Sequence, residues 1–259
     1  VLKLILSDHH ARYTNEDLLA LYAFTGGVAK YVQLFMDNGI FTKKKMLDYM
    51  IQEDSLFIAE GKNMLVEEFG KDYAVYFSIL AAIARGENTR AKIEAAVQKE
   101  LGGYLSRLEK DFSLIEKSIP LLAKVETKNV RYRLCDNFLS FWFRFIFKYY
   151  YMVEIGSYTM LREIIERDYE IFSGLALEKY FTARFMEEQR STRIGGFWDR
   201  KGENEIDLIT LNELEKSARI IEVKRQKRKI DMERLRAKGG FFIESSGLKD
   251  YQVEYMGLS

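Results

Sequence analysis

The 259-residue chain has one cysteine, one proline and two histidines. Each scarcity excludes something. The single Cys135 cannot make an intrachain disulfide or a multi-cysteine zinc site, and it suits a reducing compartment. His9 and His10 are adjacent near the N-terminus, so Ser-His-Asp catalysis or a histidine-rich metal site elsewhere in the chain is ruled out. Any metal site must therefore be built from oxygen ligands. No signal peptide or uninterrupted apolar span is present. The most apolar run, 138–153, contains Arg144 and Lys148 and reads as a buried aromatic helix linking two modules. A cytoplasmic protein with no membrane association is expected. Forty basic residues against 39 acidic ones leave no global cationic signature, so any nucleic-acid surface must be a local patch.

With 47% hydrophobic residues the chain is folded, and its length allows two or three modules. The opening Leu2-Lys-Leu-Ile-Leu6 followed by the histidines reads as a fragment edge. Thr14, with Asp17 three residues on, predicts a helix N-cap, and that helix breaks at Thr25-Gly26-Gly27. A second helix over 28–36 stops at Asn38-Gly39, Thr42 caps a third, and helical pattern continues to Phe69. Residues 1–70 are therefore expected to be all helical.

Residues 71–136 have a different signature. Tyr73, Tyr76, Phe77, Leu80 and Ala81 share one helix face; Thr89 caps a short helix with Ile93 and Val97. After Gly102-Gly103 a third helix would bury Leu105, Leu108, Phe112 and Ile115. Runs 121–125 and 130–134 bracket a turn, and the second alternates as a half-exposed strand does. Three helices and a hairpin are the layout of a winged helix-turn-helix. Such a unit either contacts DNA or serves as a spacer; contact would fall to Arg107, Lys110, Lys128, Arg131 and Arg133, mostly through phosphates.

Beyond the aromatic segment 137–160, residues 161–259 read as α/β. A helix carries Leu175, Leu177, Tyr180, Phe181 and Phe185, with Glu178 among them, and strands are expected at 192–198, 205–210, 218–224 and 240–244. On a strand Glu222 and Lys224 share a face while Val223 points away. A neighbouring strand holding Asp207 could bring a second carboxylate beside them. Two carboxylates and a lysine at strand ends suit a hard cation and phosphodiester hydrolysis. The tract Lys224-Arg-Gln-Lys-Arg-Lys229, with Arg225, Lys227 and Arg228, is either a solvated helix start or a phosphate-facing rim.

The order helix-Glu, strand, Asp, strand, Glu-x-Lys resembles the PD-(D/E)XK nuclease superfamily, whose core is an α/β sheet of the restriction-endonuclease type. Thr25-Gly-Gly-Val-Ala-Lys-Tyr-Val32 is similar to the Gly-Gly-Ile-Pro-Lys-Tyr-Leu segment of archaeal-type AAA/STAND ATPases. Arg131-Tyr-Arg-Leu-Cys-Asp-Asn-Phe-Leu-Ser-Phe-Trp-Phe-Arg-Phe145 resembles the signature after their winged helix, and Ile194-Gly-Gly-Phe-Trp-Asp-Arg with Glu205-Ile-Asp207 the start of their nuclease-like domain. The resemblance covers most of the chain in the right order. It implies an α+β multidomain protein: a helical ATPase-lid remnant, a winged helix-turn-helix, and a restriction-endonuclease-like α/β domain.

Two departures accompany it. Ala29 stands where the family has proline, and no Gly-x-x-x-x-Gly-Lys-Ser/Thr occurs, so no nucleotide-binding residues are assigned. The resemblance thus implies the C-terminal part of an ATPase, with the ATPase domain as a missing partner. It also implies that Asp207 and Glu222 bind Mg²⁺ or Mn²⁺, that Lys224 orients or activates the attacking water, and that Glu178 is an extra carboxylate. DNA is the implied substrate, with the alternative of an inactive nuclease fold used for DNA or protein binding. For Trp198 and Phe197 the expectation is packing on the sheet rather than base stacking.

Overall fold

In this computed structural model two units divide the chain: Val1–Lys117 with Arg131–Ser173, and Ser118–Val130 with Gly174–Ser259. The structure describes residues 1–124 and 126–259, apart from the side chains of Met64, Glu67 and Glu68. Its class is α+β.

The first unit opens with α1 (Leu2–His9) and α2 (Asn15–Thr25). Thr14 and Asp17 start α2 as expected, each backbone amide donating to the other's side chain, at 3.1 Å and 2.9 Å. Gly26 closes α2 at φ +63, a left-handed conformation that glycine adopts without steric cost. There follow α3 (Ala29–Asp37), α4 (Lys43–Met50), α5 (Leu56–Phe69), α6 (Tyr73–Ala84), α7 (Arg90–Val97) and α8 (Tyr104–Lys110). Thr42 and Thr89 cap α4 and α7 through their hydroxyls.

The hairpin differs from expectation. Helix α8 stops at Lys110, and Ile115 begins β1 (Ile115–Ser118), which pairs with β2 (Arg131–Leu134). The helix cannot continue because Ser113 takes φ +53 and the Leu114 amide turns back to the Leu108 carbonyl at 2.9 Å. The strand expected at 121–125 is thus replaced by 115–118; Leu122, at φ +63, lies in a turn, and Val125 lies outside the described residues.

The aromatic run forms α9 (Asn137–Phe141), a π-helical turn (Trp142–Phe147) and α10 (Tyr150–Glu154). Trp142 is buried, donates its indole N–H to the Ile58 carbonyl at 2.9 Å, and packs edge-on to Phe77. Gly61 is required there, since a Cβ would lie 2.3 Å from the Trp142 ring. Phe24, Phe141, Phe145 and Phe172 continue the cluster, and each such ring buried contributes about 1.5–3 kcal/mol. The run is therefore core from Phe138 to Ile146, whereas α10 has no buried residue.

The long α11 (Tyr158–Glu187) contributes residues 174–187 to the second unit. That unit's sheet has the order β3 (Arg193–Trp198), β4 (Glu205–Asn212), β5 (Ser217–Val223), β6 (Gln252–Leu258). Adjacent strands are antiparallel except β5 and β6, which run parallel. The fourth strand expected at 240–244 is instead the end of α12 (Met232–Ser245). Leu235, Gly239 and Phe242 fall at i, i+4 and i+7 and are all buried, a helical spacing that a strand could not present on one face. Leu235 and Phe242 pack on Ile209, Leu211, Ala218 and Ile220, so α12 covers one face of the sheet.

The outer edge of β3 is bound by the segment between β1 and β2. The Leu121 amide donates to the Gly196 carbonyl at 2.8 Å. Asn129 and Trp198 exchange two hydrogen bonds: indole N–H to Oδ1 at 2.9 Å, and Nδ2 to the Trp198 carbonyl at 3.2 Å. Trp198 and Phe197 thus pack as expected, Phe197 against Phe242. No described helix is long and apolar enough to cross a membrane.

Candidate functional site

Pairing of β4 with β5 brings the carboxylates together. Their register runs from Asn212–Ser217 to Leu208–Ile221, and Asp207 and Glu222 are the residues that follow that last pair on either strand. There the Val223 amide donates to Asp207 Oδ2 at 2.8 Å. Alternation puts Glu222 on the face that Ile220 presents to α12, and Asp207 reaches the same corner through Lys224 and the Val223 amide.

Lys224 closes the group. Its Nζ lies 3.0 Å from Asp207 Oδ2 and 3.4 Å from Glu222 Oε1, so one ammonium bridges both carboxylates. Burial, the largest influence on Lys224, favours the neutral amine. The Asp207 charge and hydrogen bond, followed by those of Glu222, outweigh it and raise the lysine's pKa above its ordinary value. The ammonium is therefore charged at neutral pH.

The remaining Glu222 oxygen is held from another direction. Oε2 accepts the Asp231 amide at 2.9 Å, and Asp231 is also the N-cap of α12, its carboxylate accepting from the Arg234 amide at 2.9 Å. Beneath this corner Gly257 pairs with Glu222, and a Cβ on Gly257 would lie 2.5 Å from Ile230 Cγ2. Neither Asp231 nor Gly257 was expected at the site. A helix cap at Asp231, before a helix with Glu233 in its first turn, was the available signal for the first; Gly257 has none without the parallel pairing of β6.

Glu178 is placed differently. On β5, Arg219 points to the face opposite α12, where it lies over the Phe185 ring of α11 and pairs with Glu188 at 3.4 Å. Arg225, past the end of β5, approaches α11 at Gly174. Glu178 lies on the helix segment between these two contacts. Among the described residues no three of His, Cys, Asp or Glu are grouped so that they could hold a metal ion.

The expected DNA contacts fall into two sets. Arg107, Lys110, Arg131 and Arg133 belong to the first unit; Lys128, Arg225, Lys227 and Arg228 to the second. Arg107 lies over the rings of Tyr76 and Phe112 and pairs with Asp111 at 3.6 Å, whereas Lys110 is exposed on α8. Lys128 is exposed next to the Asn129 anchor on β3. Lys227 and Arg228 are exposed on a 3-10 turn (Lys227–Lys229), where Arg228 donates to Gln226 at 2.8 Å, and Arg225 is half-buried. The basic tract is thus a turn, not the start of α12.

Residues 142–235, which include Asp207, Glu222 and Lys224, match the model of a family described as archaeal and bacterial proteins of unknown function, DUF234. The chain is also similar to a Methanocaldococcus jannaschii protein named uncharacterized protein MJECL04, with 31% identity over 222 residues. That match takes in 81% of this chain and 48% of the relative, so the chain spans about half the length of the protein it resembles. No solved structure matches the chain significantly.

Proposed function

We propose that this chain is the DNA-binding, nuclease-like C-terminal region of an AAA/STAND-type ATPase and that it hydrolyses DNA phosphodiesters with Mg²⁺ or Mn²⁺. The observation that carries the reading is the bridge of Lys224 between Asp207 and Glu222 at the adjoining ends of β4 and β5. Helices α6–α8 and the β1–β2 hairpin would be the winged helix, and the sheet of the second unit the restriction-endonuclease-like core. The ATP-binding half would belong to the portion that the relative has and this chain does not match.

The donor chemistry fits a hard cation, because Mg²⁺ is commonly held by one or two carboxylates and keeps several waters. Asp207 and Glu222 would be those ligands, and the bound ion would offset phosphate charge and acidify a bound water. The chain's own contributions are separate. Val223's amide and Asp231's amide fix the two carboxylates, and Lys224 presents a positive charge at the mouth of the pair, where it would orient the attacking water and the scissile phosphate. Arg225, Lys227 and Arg228 would hold flanking phosphates.

One observation favours a second reading. Among the described residues no third carboxylate is grouped with the pair so as to hold a metal ion, and Glu178 lies on α11 rather than on the strands that carry the pair. A nuclease fold kept for DNA or protein binding would tolerate that. Plasmid and single-stranded DNA incubated with the protein and Mg²⁺ or Mn²⁺ separate the two. Under the first reading both metals support cutting, and Lys224→Ala lowers it at least about a hundredfold with DNA binding retained. Uncut DNA with either metal, bound normally, leaves the second reading standing.

A further inference from the structure

We propose that Lys224 is a built-in counter-ion that keeps the Asp207–Glu222 pair closed to a divalent cation until a nucleic-acid phosphate draws its ammonium away. The inference rests on the reading of those carboxylates as cation ligands. The ammonium, 3.0 Å from Asp207 Oδ2 and 3.4 Å from Glu222 Oε1, stands between the two carboxylates and competes with any cation that would be shared by them.

Anchoring decides which partner yields. Asp207 Oδ2 also accepts the Val223 amide, and Glu222 Oε2 accepts the Asp231 amide, so backbone groups pin both carboxylates. Lys224 has a flexible four-carbon stem and lies on the solvent side, its side chain 34% exposed against 16% for Asp207 and 10% for Glu222. The lysine is the member free to move.

Charge decides when it moves. Two carboxylates and one ammonium leave one negative charge. A divalent cation added while Lys224 stays nearby turns that to one positive charge, which a single phosphodiester neutralises. Leaving the carboxylates costs the ammonium its partners unless another anion replaces them, and a phosphate does so with a charge-assisted hydrogen bond. Cation and nucleic acid therefore bind with positive and reciprocal coupling.

Titration of Mn²⁺ into the full chain, with free ion read by electron paramagnetic resonance, tests this. Without DNA, Lys224→Met and Lys224→Gln should each take up Mn²⁺ about tenfold more tightly than the unaltered chain, a usual size for such coupling. An excess of a short DNA duplex should tighten uptake by the unaltered chain to a similar degree and leave both variants unchanged. Uptake by DNA itself is subtracted with the Asp207→Asn, Glu222→Gln double variant. If the unaltered chain binds Mn²⁺ and the two lysine variants bind it equally or more weakly, the counter-ion role is overturned while the ligand reading stands. Absence of uptake in every protein overturns both.

Discussion

Gly257 and Ile230 meet so closely that no side chain fits between them: a Cβ on Gly257 would lie 2.5 Å from Ile230 Cγ2 and 3.1 Å from its Cδ1. The contact sits directly under the site, because Gly257 pairs with Glu222 and Ile230 precedes the amide that holds it.

Gly257→Ala should therefore push Ile230 outward and cost about 1–3 kcal/mol in stability through overpacking. Adding Ile230→Ala, which removes both Cγ2 and Cδ1, to Gly257→Ala should recover part of that loss, while Ile230→Ala alone destabilises by about 2 kcal/mol. Urea denaturation of the three variants measures the coupling, and simple additivity would refute the contact.

The Asn129–Trp198 exchange predicts a second effect. Asn129→Ala leaves the N–H of a buried indole without its acceptor, at a cost of about 1–3 kcal/mol. Fluorescence of Trp198 should shift in this variant at equilibrium, with Trp142→Phe used to isolate the signal; an unchanged midpoint in urea would argue that the loop does not anchor β3.

Asp17 predicts a dependence on pH. Burial, the largest influence, disfavours its charge, but the Thr14 hydroxyl and the amides of Lys43 and Thr14 outweigh it and hold the carboxyl below its ordinary value of 3.8. A folded-state pKa below the unfolded one contributes stability that is fully present above 3.8 and is lost as pH falls through the lower folded value. Asp17→Asn should lower stability at pH 7 by about 1 kcal/mol and reduce the acid-side slope of thermal melting, whereas an unchanged slope would show that the capping carboxylate does not titrate with folding.

Local chemistry was readable wherever neighbours in sequence supplied the partner. Thr14, Thr42 and Thr89 mark helix starts because the amide each hydroxyl caps is three residues away. The segments of β3, β4 and β5 are likewise legible in the sequence. The stretch Gly239-Gly-Phe-Phe-Ile243 misleads for the opposite reason. Its bulk and glycines read as a strand, and its helical face appears only against Ile220 and Tyr255, where a Cβ on Gly239 would lie 2.5 Å from the Tyr255 ring.

The candidate site divides along the same line. That Glu222 and Lys224 share a face follows from the two-residue period of a strand, and the oxygen-only ligand chemistry follows from the near absence of histidine and cysteine. That Asp207 reaches the same corner as Glu222, that one ammonium spans both, that Asp231 steadies the second oxygen and that the α11 segment with Glu178 lies between its contacts to Arg225 and Arg219 all depend on strand register and helix placement. Those are set by long-range pairing and burial, which no local spacing encodes.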